Sequence, residues 1–397
     1  MNSSRLCVFL THPNQHFSPL FKKLHEEPRL KLKVIYMFDH GLSESWDVGF
    51  GKKIKFNIPM QGNYETVVLK PEVSVSDYSF FKVNSSKLIK EVLKANPDYV
   101  WVFGYNSLAS WKLVFYPFRK YKVCYLGDSS IKIKQPWWKT ILKEFVLRIF
   151  FKKIDLIFSI GESNEQFYRK YSVSAKRICR AAYIFDNEYL LRDLDSPALS
   201  RSEVRKELKF DSNLFLIGFS GKFIERKRPH DVVELVYRLR KQGMNAGAVL
   251  IGDGKLRESI EKRIRDLEMD EWIRLPGFIN QNRIGGYYNA IDTLCMPSSI
   301  ENFGMSVIEA IAFGKPVLVS DKLGCVGLTD IARPDINALV FECGNMNMLT
   351  QQALNLIKDK QLYQRMSDES RRIAEKNTMT HNSQIISDAL CNTFSSL

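Results

Sequence analysis

No stretch of about 18 uninterrupted apolar residues occurs in this 397-residue chain, so the sequence offers no transmembrane helix. The N-terminus, M-N-S-S-R-L-C-V-F-L-T-H-P, breaks its apolar run too early for a signal peptide and suggests a first buried strand, Leu6 to Leu10. Cysteine is sparse and scattered: Cys7, Cys124, Cys179, Cys295, Cys325, Cys343 and Cys391 are odd in number and show no metal-ligand spacing. That pattern points to reduced, buried thiols and a cytoplasmic protein, with no metal expected. The G-x-G-x-x-G dinucleotide fingerprint is absent, which argues against a dehydrogenase, and no Walker A, G-x-S-x-G or H-E-x-x-H motif occurs. Acidic residues are the scarcer charge, 44 against 58 Lys and Arg, for a net charge of +14. Such an excess suits nucleic acid, an anionic membrane or an anionic substrate. With no RNP-like or zinc-knuckle signature, nucleic acid is not expected.

What is present is a repeated alternation of strand and helix. Buried strands are expected at Lys31–Phe38, Tyr99–Phe103, Lys122–Leu126 and Ile154–Ser159, and helices at Phe17–Leu24, Ser85–Ala95 and Ser163–Lys170. Residues 40–75, with four glycines and two prolines, suggest a long loop holding short strands. The charged stretch 192–213, broken by Pro197, suggests an interdomain linker; its Asp193-Leu194-Asp195 is a solvated charge pair. A second alternating unit follows, with strands at Phe215–Phe219, Ala248–Ile251, Ile273–Leu275, Thr293–Met296, Val317–Val319 and Ala338–Phe341. Two domains result, 1–195 and 212–377, each with a mostly parallel sheet and its functional loops at the strand C-terminal ends. A last helix, about 378–397, is expected to pack back on the first domain.

Positive charge is concentrated between residues 112 and 153, where eleven Lys and Arg face only Asp128 and Glu144. Trp111, Phe115, Phe118, Trp137, Trp138, Phe145, Phe150 and Phe151 are interleaved with them. Basic residues beside aromatics suit an interfacial contact with an anionic membrane, each cation contributing about 1 kcal/mol. A solvated basic face over ordinary core aromatics would give the same pattern.

The chain is organised around Cys295–Asp321. Glu301 precedes a helix expected at Phe303–Phe313, and Glu309 lies inside it, among Val307, Ile308, Ala310 and Ile311. A buried carboxylate is costly unless paired or hydrogen-bonded, so Glu309 requires a partner. Eight helical steps put the two acids roughly 12 Å apart, with an anion-favouring helix N-terminus between them. A ligand with hydroxyls at both ends and a diphosphate in the middle, such as a nucleotide-sugar, matches that layout. The basic loop Ser220–Arg228, between a strand and a helix, suits a diphosphate; Gly252-Asp253-Gly254 after the next strand is a weaker signal.

These residues resemble the GT-B glycosyltransferases of family 4. The E-x7-E motif is Glu301 to Glu309, with Asn302-Phe303-Gly304 at the family's aromatic-glycine pair; Gly221-Lys222 and Lys227 match its basic loop. Gly252-Asp253-Gly254, Pro276-Gly277-Phe278-Ile279 and Gly314-Lys315-Pro316-Val317 follow in the family's order, over about residues 214–345. Thr11–Phe21 looks like one subgroup of the same family. The resemblance implies an α/β GT-B fold, two Rossmann-like α/β/α domains facing each other across a deep cleft. It implies that Lys222 and Lys227 hold and stabilise the leaving diphosphate, a role that can replace a metal ion. Glu309 would accept from the ribose hydroxyls and Glu301 from the transferred sugar. Gly221, Gly252 and the amides around Phe303, Gly304, Met305 and Ser306 would face sugar and phosphates, and backbone near Phe278 and Ile279 the base. The leaving phosphate would help deprotonate the acceptor.

The chain departs from the family in three places. His-Pro-Asn-Gln-His replaces the Gly-rich loop after the first strand, Gly127-Asp128 stands where a first-domain His is usual, and Asn337-Ala338 replaces Asn-Gly. His12, Asn14, Gln15, His16, Asn106 and Asp128 are therefore the acceptor-side candidates. The expected protein is a retaining, metal- and cofactor-free transferase using a UDP- or GDP-sugar. Its expected acceptor is a glycan or lipid-linked molecule in cell-surface polysaccharide synthesis at the inner membrane face. An epimerase-like enzyme or a non-catalytic nucleotide-sugar-binding protein is the alternative.

Overall fold

A computed structural model of the chain describes residues 3–39, 45–47, 52–54, 62–70, 78–132, 137–181, 191 and 196–391. The strands, in chain order, are β1 Ser4–Leu10, β2 Leu30–Phe38, β3 Ser45–Asp47, β4 Lys52–Ile54, β5 Glu65–Lys70, β6 Tyr99–Phe103, β7 Lys122–Leu126, β8 Leu156–Ser159 and β9 Ile178–Arg180. They continue with β10 Phe215–Ser220, β11 Ala246–Ile251, β12 Ile273–Gly277, β13 Thr293–Met296, β14 Val317–Ser320 and β15 Ala338–Phe341. The chain forms two compact units: Met1–Ser45 with Ile54–Ile184 and Asn377–Leu397, and Trp46–Lys53 with Phe185–Lys376.

In the first unit the sheet order is β5-β2-β1-β6-β7-β8-β9, all parallel. The strands are near-continuous apolar runs because both faces are covered. Phe9, Ile35, Val100 and Tyr125 are buried with Phe150, Phe151 and Tyr168 in one core. The chain starts at the central strand β1, winds out one way to β5, then returns to β6 and winds out the other way. The strand order therefore reverses between β1 and β6. The six residues of β5 are a sheet strand inside the stretch expected to be mainly loop; Val67 and Leu69 pack toward the core, while the rest of the stretch is largely outside the described residues. The helix Met379–Cys391 belongs to this unit: Asp388 receives a hydrogen bond from Arg29 Nη1 at 2.9 Å.

The second unit repeats the plan, with order β12-β11-β10-β13-β14-β15, all parallel. Its reversal lies between β10 and β13. Most of the charged stretch read as a linker belongs to this unit, and its Asp193 and Asp195 lie outside the described residues. Arg205, on the helix Arg201–Glu207, is 3% exposed and spends its guanidinium on Ala290 O at 2.9 Å, Ser212 O and Leu214 O at 2.8 Å, and Asp292 Oδ2 at 2.7 Å. Burying an arginine is tolerable only when its fork is satisfied in this way.

Only part of the basic segment 112–153 is surface. Phe150 and Phe151 are core residues, whereas Phe118 is 78% and Phe145 66% exposed. Lys143 lies over the Tyr105 and Phe167 rings, and Arg148 bonds Glu144 and Ser172, so neither is a simple solvated cation. The side chains of Trp137, Trp138 and Lys139 lie outside the described residues. All seven cysteines are free thiols. Among the described residues, no helix is long and apolar enough to cross a membrane.

Candidate active site

In a doubly wound sheet, ligands bind beyond the strand C-terminal ends where the strand order reverses. In the second unit that point lies between the loops after β10 and β13, and the two loops are tied together. Ser299 N donates to Arg226 O at 2.8 Å, bringing the end of the basic loop against the stretch that carries Glu301. The Lys227 ammonium pairs there with the Glu301 carboxylate, and each side chain is only 13% exposed. Glu301 is fixed from behind: its carbonyl accepts from Gly324 N at 3.0 Å, and a Cβ on Gly324 would lie 1.7 Å from Asn302 O. No residue but glycine fits at 324.

The loops after β10 and β11 meet backbone to backbone. Gly252 adopts φ +144°, and a Cβ there would lie 1.9 Å from Gly221 O. Gly221 N donates to Ile251 O at 2.9 Å and Phe223 N to Asp253 O at 2.8 Å, so Gly252-Asp253-Gly254 lies beside the basic loop. Gly252 N in turn donates to Gly277 O at 2.9 Å, which brings in the loop of Phe278 and Ile279, both half-buried. Lys222 is half-buried on the same loop as Lys227.

The helix begins at Met305, not Phe303, because Gly304 at its N-cap takes φ +110°, open to glycine and strained for other residues. Phe303 and Ser306 are buried, and Ser306 Oγ lies 3.6 Å from Met296 Sδ. Glu309 is buried on this helix, and the partner its burial requires is Tyr288, whose hydroxyl donates to Glu309 Oε2. Burial pushes the Glu309 carboxyl up to about 7, partly offset by the Tyr288 bond, which favours the anion. Lys315, with its ammonium donating to Asn289 O, is pushed down to about 8 by burial.

Sequence spacing places both acids and the basic loop at this point, but it gives no sign of Tyr288 or Gly324. Tyr288 lies 21 residues before its carboxylate on the helix Gln281–Ala290, and a polar-tipped ring in a buried run does not say which carboxylate it meets.

In the first unit, the candidates sit on loops at the corresponding strand ends. His12 stacks on Tyr78 with ring centroids 5.4 Å apart, and its Nδ1 is 2.9 Å from Thr11 Oγ1. Asn14 works locally: its carboxamide oxygen accepts from His16 N at 2.8 Å and its carbonyl from Ser18 N at 3.0 Å, opening the helix Ser18–Glu26. Gln15 Nε2 lies 3.3 Å from His16 Nε2, and burial pushes the His16 imidazole down to about 4, leaving it neutral near pH 7. Asn106 and Asp128 are exposed, on the loops after β6 and β7. His12–His16 and Asn106 thus flank the reversal between β1 and β6, with Asp128 one strand further out.

Fold and loops together define two doubly wound α/β units, the second with its charged residues gathered at the switch point. Residues 200–373, which lie in the second unit, match the family model for glycosyl transferases group 1. Alpha-D-kanosaminyltransferase of Streptomyces kanamyceticus is 23% identical over 206 residues, 52% of this chain and 52% of its own length. N-acetyl-alpha-D-glucosaminyl L-malate synthase of Bacillus anthracis is 23% identical over 48% of this chain and 46% of its own. The chain thus spans about half the length of the curated relatives it matches. Among solved structures, Anabaena HepE in complex with UDP aligns over 99% of this chain and all of its own, with TM-score 0.72 at 16% identity. Sucrose-phosphate synthase from Thermosynechococcus elongatus aligns over 99% with TM-score 0.73 at 14% identity. The fold shared with these proteins is the GT-B glycosyltransferase fold.

Proposed function

We propose that the chain is a retaining glycosyltransferase of family 4, working without a metal ion, that moves a sugar from a UDP- or GDP-linked donor to a glycan or lipid-linked acceptor. The observation that carries this reading is the Lys227–Glu301 pair at the switch point of a group 1 glycosyltransferase domain, with Glu309 buried on the following helix. A lysine ammonium has three donors, so pairing with Glu301 leaves two for diphosphate oxygens. Lys222 and Lys227 then offset the charge that develops on the leaving diphosphate, where fixed cations stabilise the transition state most.

Glu301 accepts from hydroxyls of the transferred sugar and Glu309 from those of the ribose. The backbone around Gly221, Gly252 and residues 303–306 meets sugar and phosphates, and Phe278 and Ile279 the base. The bond from the sugar's anomeric carbon to the diphosphate breaks as the acceptor oxygen attacks on the same face. The acceptor's proton passes to the departing phosphate oxygen, and configuration is kept.

A UDP-sugar draws support from the fold shared with HepE, solved in complex with UDP and with UDP-glucose. A cell-surface glycan product draws support from similarity to the lipopolysaccharide core biosynthesis glycosyltransferase LpsE of Rhizobium meliloti, 28% identical over 37% of this chain. We assign acceptor contacts to His12, Asn14, Gln15, His16, Asn106 and Asp128, and a cytoplasmic location with peripheral attachment through Phe118, Phe145 and the exposed Lys112, Lys120, Lys152 and Lys153. The deciding experiment is transfer by Lys227→Ala and Glu309→Ala, using the donor that raises the melting temperature most in a nucleotide-sugar screen. Both variants should fold and lose turnover. Wild-type turnover in either would overturn the site assignment.

A further inference from the structure

Nothing on its own helix holds the Glu309 carboxylate; its neighbours Val307, Ile308, Ala310 and Ile311 are apolar and buried. Its orientation comes from the helix Gln281–Ala290, through the Tyr288 hydroxyl on Oε2. Tyr288 is fully buried, and its ring stacks on Phe313 with centroids 5.9 Å apart and planes 25° from parallel. The phenol is thus held between the Phe313 ring and the carboxylate.

The phenol has a definite chemical effect on Glu309. Oε2 is engaged, Oε1 has no protein partner among the described residues, and Glu309 keeps 7% exposure. One oxygen is fixed by a donor with no room to move, so the other is presented in one direction. The hydrogen bond also favours the carboxylate over the neutral acid, opposing the burial that raises its pKa to about 7. Without the phenol the group would be free to rotate and would hold its proton more readily, and a protonated carboxyl is a poorer acceptor for a hydroxyl donor.

We propose that Tyr288 is a positioning residue which, by fixing the Glu309 carboxylate, makes this domain select ribonucleotides over 2′-deoxyribonucleotides. The proposal rests on the assignment of Glu309 to the ribose. Its test is calorimetric titration of wild type, Tyr288→Phe, Phe313→Leu and Glu309→Ala with UDP and 2′-deoxy-UDP, and with GDP and 2′-deoxy-GDP. A hydrogen bond to a charged acceptor predicts that wild type binds the ribonucleotide roughly ten- to a hundredfold more tightly. In Tyr288→Phe that preference should fall to about threefold or less, with affinity for the deoxynucleotide unchanged.

A merely structural role would weaken both nucleotides equally; that result, or an undiminished preference, overturns the proposal. If Glu309→Ala loses the preference while Tyr288→Phe keeps it, only the Tyr288 proposal fails. If Glu309→Ala keeps it, or wild type shows none, the ribose assignment fails and the proposal with it. Should Tyr288→Phe fold poorly, Phe313→Leu, which removes the ring stacked on the phenol, must lower the preference in the same direction; an unchanged preference there also overturns the proposal.

Discussion

Replacing Glu309 by glutamine should make the unliganded protein more stable, and more so as pH rises. The folded carboxyl titrates at about 7, against an ordinary value of 4.5, because burial penalises the anion. At about 1.4 kcal/mol per pH unit, that difference amounts to about 3 kcal/mol. The sign follows from proton linkage. Below pH 4.5 the carboxyl is protonated whether the chain is folded or not, and the site costs nothing. Between 4.5 and 7 the unfolded chain releases the proton while the folded one keeps it, so stability falls with rising pH. Above 7 the full penalty applies.

Glutamine has the same shape and its amide oxygen can still accept from Tyr288, but it carries no charge to bury. Glu309→Gln should therefore match wild type near pH 4.5 and exceed it by up to about 3 kcal/mol at pH 8. For a domain of this size that is a rise of roughly 5–10 °C in melting temperature. Thermal melts of both proteins from pH 4.5 to 8, without nucleotide, measure it. A difference that does not vary with pH, or a variant that loses stability as pH rises, would refute the reasoning that Glu309 is a destabilising buried acid, only partly compensated by Tyr288 and retained for binding.

Nucleotide binding at pH 7 should release a fraction of a proton, because ribose hydroxyls favour the anionic carboxylate; calorimetry in two buffers of different ionisation enthalpy reads it, and proton uptake would contradict it. Gly252→Ala should destabilise by more than about 2 kcal/mol and weaken donor binding, since its Cβ would lie 1.9 Å from Gly221 O. Gly243→Ala, at φ +75° with nothing within 4 Å, should cost only the left-handed strain of about 1 kcal/mol, and equal melting temperatures for the two variants would count against the close-approach argument. Transfer should survive EDTA; its loss would show that the lysines do not stand in for a metal ion. Anionic vesicles should bind the protein at low salt and release it at high salt, and Phe118→Ser with Phe145→Ser and Lys152→Glu should abolish binding. No vesicle binding by wild type at low salt would dismiss the membrane contact.

The amino-acid sequence by itself determined the alternation of strand and helix, the two parallel sheets and the positions of Glu301, Glu309 and Lys227. Each of these depends on local information: apolar runs of strand length, helical spacing, and loop residues that follow a strand. It also required a partner for Glu309 without saying which. Only the tertiary structure decided that the partner is Tyr288, that Lys227 reaches Glu301 across 74 residues of sequence, and that Gly324 and Gly252 are glycines because another strand's loop passes within covalent-radius range of their missing Cβ. It likewise split the basic segment, placing Phe150 and Phe151 in the core and leaving Phe118 and Phe145 outside. The physical reason is common to all of these. Periodicity reports which face of an element is buried, but which side chain meets which depends on the packing of helices and loops across the sheet, and no short window of sequence contains that information.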